Sequence, residues 1–221
     1  ALNEADHIEA TLQALGNDAH EIIVVDGKSK DDTVSRAEAA GATVLTHSGM
    51  RAQLLNVGAL HATGDILLFL HADTLLPQGY TNQLADILLT PGVSAGAFSF
   101  AISHPSIRYR IVETFTNLRS RLFAMPYGDQ GLFMSRERFH RIGGFADLPI
   151  MEDFEMVSRL RRSGKVVTLA ARALTSDRRW RKLGVLKTLL INQGMILNYI
   201  ARRPPECLTR LYRREEGVQT P

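Results

Sequence analysis

Hydrophobic and polar positions alternate along this chain in blocks of two kinds. "EIIVVD" (21–26) is a dense apolar run of strand length that ends on an acid. "DDTVSRAEAA" (31–40) has helical spacing, with Asp31 or Asp32 as its N-cap and Gly41 as its stop, and "ATVLT" (42–46) is a second short strand. "MRAQLLNVGALHA" (50–62) predicts a helix closed by Gly64, and "DILLFL" (65–70) a third strand. Strands joined through helices in this way predict a βαβαβ layer, a parallel sheet with helices on both faces.

Beyond Asp73 the alternation loosens. "SAGAFSFAI" (94–102) and "QGLFMS" (130–135) read as strands, "SIRYRIVETFTNLRSRLF" (106–123) and "EDFEMVSRLRRSG" (152–164) as helices, and "KVVTLA" (165–170) as a last strand. The opening segment, "ALNEADHIEATLQAL", reads as a loop and helix with Asn3 or Asp6 as candidate caps, so the sequence is expected to begin inside or just after a first strand. No repeat, low-complexity tract or linker divides the chain. The expectation is one mixed α/β domain over 1–182 and a helical extension over 183–221. In that extension "LGVLKTLLINQGMILNYIARRPP" is an apolar helix flanked by Lys182, Lys187, Arg202 and Arg203 and ended by Pro204 and Pro205. Packing against the main domain is its plain role; peripheral membrane contact through 183–203 or contact with a second copy, as a homo-oligomer, are the alternatives.

Composition narrows the class. With 221 residues, 45% of them hydrophobic, the chain can bury a sizeable core. A single cysteine, Cys207, excludes an internal disulfide framework and a cysteine zinc site, which suits a reducing compartment. No apolar stretch approaches the roughly 20 residues needed to span a bilayer, so a cytoplasmic protein is expected, soluble or peripheral at the inner face of the membrane. The net charge of +3 conceals a division: residues 1–100 carry 4 Lys and Arg against 12 Asp and Glu, and residues 101–221 carry 22 against 11. An acidic half beside a basic half fits a cleft with a metal-holding and an anion-holding side, or a solvated surface of mixed sign. Nucleic acid is not an expected partner, because no helix-turn-helix, zinc-finger or RNA-binding signature is present.

Ligands of open α/β sheets bind beyond the carboxyl ends of the strands, and two strands here end in acids, at Asp26 and, in "LLFLHADT", at Asp73. Asp26 suits hydrogen bonds from a base or ribose, and Asp73 suits a divalent cation. The plainer alternatives are a turn residue for Asp26 and, for Asp73, a helix cap ahead of "TLLPQGY". A second acid cluster, "MEDFEM", is placed either for proton transfer or simply for the positive end of a helix.

"ALNEADHIEATLQAL", "IIVVDGKSKDDTVSRA", "RAQLLNVGALHATGDILLFLHADT", "YGDQGLFMSRERFHRIGGF" and "MEDFEMVSRLRRSG" together resemble family 2 glycosyltransferases of the GT-A fold, and within them a compact bacterial subgroup. The resemblance covers nearly the whole chain and is weakest after about residue 185. It implies a Rossmann-like mixed sheet and an enzyme of the hexosyltransferase type. It places Asn3, Glu4, Asp26, Arg51, Asn56 and His71 on the donor side. Asp73 becomes the metal acid of a DXD-like motif written "HAD", with His71 where the first aspartate usually stands, and Mg²⁺ or Mn²⁺ as cofactor. It makes Asp153 the general base with Glu152 in support. It assigns Gly128, Asp129 and Gln130, with Arg178, Arg179 and Trp180 of an imperfect "RW" motif, to acceptor or diphosphate. The implied function is inverting, metal-dependent transfer from a nucleotide-sugar, UDP-linked by preference, to a hydroxyl acceptor. A sugar-nucleotidyltransferase would show a Gly-rich phosphate loop near the first strand, and none is present. A non-catalytic nucleotide-sugar-binding protein would have no use for Asp153.

Overall fold

A computed structural model of the chain describes residues 1–16, 18–204, 209, 210 and 212. Its first half runs α1 (Ile8–Leu15), β1 (Ile23–Asp26), α2 (Thr33–Ala39), β2 (Thr43–Thr46), α3 (Arg51–His61), β3 (Ile66–Phe69), β4 (Thr74–Leu75) and α4 (Tyr80–Leu89). Its second half runs β5 (Val93–Ile102), α5 (Ile107–Phe123), β6 (Leu132–Ser135), α6 (Arg136–Arg141), α7 (Glu152–Ser163), β7 (Lys165–Thr175), α8 (Arg178–Leu183) and α9 (Val185–Ile200), with a 3₁₀ turn at Gly128–Gln130 before β6.

The main sheet has the order β3-β6-β5-β7-β4. β5 and β7 run parallel, β6 lies antiparallel to both β3 and β5, and β4 lies antiparallel to β7. Every residue of β5 is buried, because helices cover both faces of the sheet. On one face Leu132 and Met134 pack with Phe139, Val157 and Leu160; on the other Phe98 and Phe133 pack with Leu12 and Leu84. The mixed α/β sheet with helices on both sides is the expected fold class.

The expected single parallel ladder through the first three strands is corrected. β1 and β2 pair in parallel, from Ile23 opposite Thr43 to Asp26 opposite Thr46, but they form a two-stranded sheet of their own. β3 takes β6 as an antiparallel neighbour instead, and a cleft of about 730 Å³ opens between Val24 on the β1 side and Leu68 and Leu70 on the β3 side. Ala1 lies along the end of β1, its ammonium donating to the Val25 carbonyl at 2.7 Å and its own carbonyl accepting from Gly27 N–H at 2.8 Å.

Local chemistry explains the remaining differences. Asp31 rather than Asp32 serves the start of α2, accepting from Thr33 N–H at 3.1 Å, and Gly41, at φ 85°, ends the helix by adopting a left-handed conformation. α3 stops at His61 because Ala62 turns extended; Gly64 is not the stop, and its N–H goes to Glu21. Asp73 caps no helix, since Thr74 and Leu75 pair with Thr175 and Leu174 as a strand. α4, α6 and α8 were not among the expected helices. β7 runs on to Thr175 because its partner β5 continues alongside it. α9 ends at Ile200, before Pro204, while Pro205, Cys207 and residues 213–221 of the extension lie outside the described residues. No described helix is long and apolar enough to cross a membrane.

Candidate functional site

The turn after β3, the N-terminal loop and the start of α8 meet at Glu4, Asp73 and Arg178. Ser176 N–H donates to the Asp73 carbonyl at 3.1 Å, which ties that turn to the end of β7. Arg178 Nη2 donates to Glu4 Oε1 at 2.8 Å and lies 3.9 Å from Asp73 Oδ2. Burial, then the charge of Glu4, pushes the Asp73 carboxyl above the usual carboxylate range, with Arg178 opposing. Glu4 Oε2 is buried and has no hydrogen-bond partner. An orphan acceptor beside a second hard carboxylate fits a divalent cation of the Mg²⁺ or Mn²⁺ kind, which takes one or two protein carboxylates and completes its shell from water and substrate phosphate. Among the described residues no cluster of three or more His, Cys, Asp or Glu gathers, so Glu4 and Asp73 are the two carboxylates here that could hold such an ion.

A second group stands at the N-termini of α3 and α7. Arg51 Nη1 donates to Glu152 Oε1 at 2.5 Å, and Arg51 Nη2 meets His71 Nε2. Burial, then Arg51 and the Ala1 ammonium, holds His71 well below its ordinary range, so it is neutral near pH 7 and turned to Arg51 rather than to the Glu4–Asp73 pair. Burial and then Asp153 push the Glu152 carboxyl up while Arg51 pulls it back. Asp153 Oδ2 accepts from Gly128 N–H at 2.7 Å and Oδ1 from Phe154 N–H at 2.7 Å. Gly128 is the crossing point: a Cβ there would stand 2.8 Å from both Arg51 Nη2 and Asp153 Oδ2, and 3.3 Å from His71 Nε2.

Next to it Asp129 sits with a buried Oδ1 that has no hydrogen-bond partner. Burial, then the charge of Asp153, raises its carboxyl to about 6 against the pull of Arg119, Arg179 and Arg51. The unfolded chain gives up that proton near pH 4 and the folded one about two units higher, so the stability Asp129 supplies is present below pH ~4 and is lost as the pH rises through ~6. Melting temperatures of wild type and Asp129→Asn should therefore differ little near pH 4, whereas near pH 7 the variant should be the more stable. Equal curves at both would contradict this burial.

Several residues named from the sequence are engaged by neighbouring groups of the fold. Asp26 is buried, with Ser29 Oγ at 2.5 Å from Oδ1 and Ser29 N–H at 3.0 Å from Oδ2, as a strand-ending turn residue does. Asn3, in left-handed backbone, accepts from Lys30 N–H at 2.8 Å and holds the same turn; neither it nor Asp6 caps α1, whose cap position is His7. Asn56 bonds both backbone groups of Phe145 at 2.9 Å each, and from the other side Arg159 reaches the carbonyls of Ile142 and Gly144 at 2.6 and 2.7 Å. Gln130 is wholly buried between Ser120, Tyr127 N–H and the Phe98 carbonyl, so it positions Gly128 and Asp129. Trp180 packs with Phe100 and Tyr109. Arg179 influences Asp129 and lies over the Tyr212 ring at 5.2 Å. Sequence reasoning did not single out Arg119, whose guanidinium stacks on Tyr127 at 3.5 Å beside Asp129; nothing in the spacing separates it from Arg108 and Arg121.

The sequence model of a family described as "Glycosyl transferase family 2" matches residues 1–146. No curated protein matches the chain. Among solved structures, a mannosyltransferase from Pyrobaculum calidifontis in complex with GDP-Man and Mn²⁺ aligns with a TM-score of 0.65 at 21% identity, over 99% of this chain and 67% of that one. Glucosyl-3-phosphoglycerate synthase from Mycobacterium tuberculosis, in complex with phosphoglyceric acid, aligns with a TM-score of 0.62 at 22% identity, over 86% of this chain and 76% of that one. The same enzyme with Mn²⁺ and UDP-glucose aligns at 0.57 and 23%, over 86% and 75%. At these identities the likeness is one of fold.

Proposed function

The chain belongs to glycosyl transferase family 2, with the GT-A fold of its structural neighbours, and from that premise we propose that it moves a sugar from a nucleotide-sugar, UDP-linked by preference, to an acceptor hydroxyl with inversion. The observation that carries this reading is a pair of carboxylate groups at two ends of one site, Glu4 and Asp73 with Arg178, and Asp153 on Gly128 N–H, with Arg51 and His71 between them.

The two ends have different work. Glu4 and Asp73 are the residues to hold Mg²⁺ or Mn²⁺, which when bound would stabilise the negative charge gathering on the departing nucleoside diphosphate. Arg178 suits that diphosphate by its planar fork of donors. At the other end Asp153 removes the proton from the acceptor hydroxyl. Gly128 N–H orients the carboxylate for that transfer. Arg51 neutralises Glu152, so a second negative charge does not compete beside the base. Attack from the face opposite the diphosphate inverts the anomeric centre. Residues 1–182 contain all of these groups, and 183–221 is an accessory extension.

A thermal-shift panel tests the donor half: UDP, GDP, UDP-glucose and GDP-mannose, each with and without Mn²⁺ or Mg²⁺, on wild type and Asp73→Ala. A ligand bound only by the native state stabilises it by about 2.7 kcal/mol at a hundredfold excess over its dissociation constant. The expected result is a metal-dependent shift, largest for the uridine compounds and absent in Asp73→Ala. A metal-independent shift, or none, refutes the donor assignment. A shift accompanied by pyrophosphate release would mark a nucleotidyltransferase, and a shift without turnover on any acceptor a binding protein.

A further inference from the structure

Helix α5 buries Tyr109 and Val112 together with polar Glu113 and Ser120, yet leaves a row of large apolar residues exposed on its outer face, unlike a surface helix packed on a core. On its inner face Glu113 Oε1 accepts from Ile102 N–H at 2.8 Å, and Asn117 accepts from Phe100 N–H at 2.7 Å and donates to the Phe100 carbonyl at 2.9 Å. These side chains serve the part of β5 beyond Gly96 and Ala97, where β6 pairs. On the outer face Ile107, Ile111, Phe115, Leu118 and Leu122 are each between 50% and 80% exposed. At 3.6 residues per turn they fall in one stripe roughly 80° wide. No described residue is packed over it.

The charges around the stripe are of one sign. From Ser103 to Met125 the only carboxylate is Glu113, which is buried and bound to Arg110 and Arg172. Arg108 and Arg121 are exposed, one along each side of the stripe. From Arg178 to Arg203, which spans α8 and α9, there is no carboxylate at all. α9 packs through Val185 and Leu189 on the same cluster as Tyr109 and Val112 of α5, and it adds exposed Leu186, Leu190, Leu197 and Ile200.

We propose that the outer face of α5 docks on an anionic bilayer surface, with Ile107, Ile111, Phe115, Leu118 and Leu122 at the acyl boundary and Arg108 and Arg121 among the headgroups. The charge pattern selects this occupant. A second copy laid on the same face would set arginines against arginines with no exposed acid to answer them, a juxtaposition that opposes association, whereas anionic headgroups answer them directly. The docking is independent of the donor site and is read without turnover.

The test is flotation of the full chain with vesicles of phosphatidylcholine alone and of phosphatidylcholine with phosphatidylglycerol, alongside light scattering for molecular mass. Wild type should float with the anionic vesicles only, be released by high salt, and run as a monomer. The triple variant Phe115→Ser, Leu118→Gln, Leu122→Gln should melt no lower than wild type and partition about tenfold less or weaker. Arg108→Gln with Arg121→Gln should lower the partition about tenfold as well. Wild type that stays unbound, a triple variant that floats as wild type does, or a wild-type dimer that the triple variant dissociates would each overturn the proposal, the last in favour of a second copy.

Discussion

Asp153→Asn should lower kcat by about 10²–10⁴-fold, the usual contribution of a positioned general base, while donor binding stays at the wild-type level. The substitution is well matched to the site. Asparagine keeps the shape of aspartate and one carbonyl oxygen that can still accept from Gly128 N–H, so the turn should hold its place while the bond from Phe154 N–H at the start of α7 is given up. What it lacks is an oxygen able to take a proton at neutral pH. Glu152→Gln gives the contrast: it removes the charge that Arg51 meets at 2.5 Å and frees that guanidinium, so its signature should include altered donor binding. Steady-state kinetics on each variant, with the donor-induced melting shift measured in parallel, separate the two roles. Near-normal turnover in Asp153→Asn would remove this carboxylate from the mechanism.

The second large effect concerns Asp73. A carboxyl pushed above its ordinary range by burial and by Glu4 opposes folding at neutral pH, because the unfolded chain ionises it more readily. Asp73→Asn should therefore raise the melting temperature of the ligand-free protein, abolish the Mn²⁺-dependent shift and lower turnover by about 10²–10³-fold, the equivalent of a few kcal/mol of charge stabilisation. Opposite signs for stability and activity are the mark of a group kept for function. If Asp73→Asn instead destabilised the ligand-free protein and left the metal response intact, its carboxylate would be a structural partner of Arg178 and no more.

Much of the fold could be read from residue pattern, since long periodic segments carry their own information. The apolar run of β5 and the spacing of α5 and α7 gave elements within a residue or two of those observed. Sheet pairing was harder. "IIVVD" and "ILLF" look like equivalent buried strands, and only the tertiary structure shows β3 turned to β6 while β1 keeps to β2. The site divides along the same line. Asp73, Glu152 and Asp153 announce themselves as acids at the ends of strands or the starts of helices. Gln130, Asn56 and Trp180 do not announce that their polar or aromatic groups face inward, because an amide in an apolar stretch reads equally as a ligand contact or as a bond to a neighbouring backbone. The Glu4–Arg178 pair joins residues 174 positions apart, a separation at which spacing carries no signal.

Asn56 and Arg159 grip the stretch from Ile142 to Phe145 from opposite sides, one from α3 and the other from α7. Arg51 opens the first of these helices, and Glu152 and Asp153 open the second. The two jaws are thereby bolted into a single frame that cannot rock apart without tearing four hydrogen bonds from one short loop. The spacing between Arg51 and Asp153 is thereby set by a stretch of chain that touches neither of them.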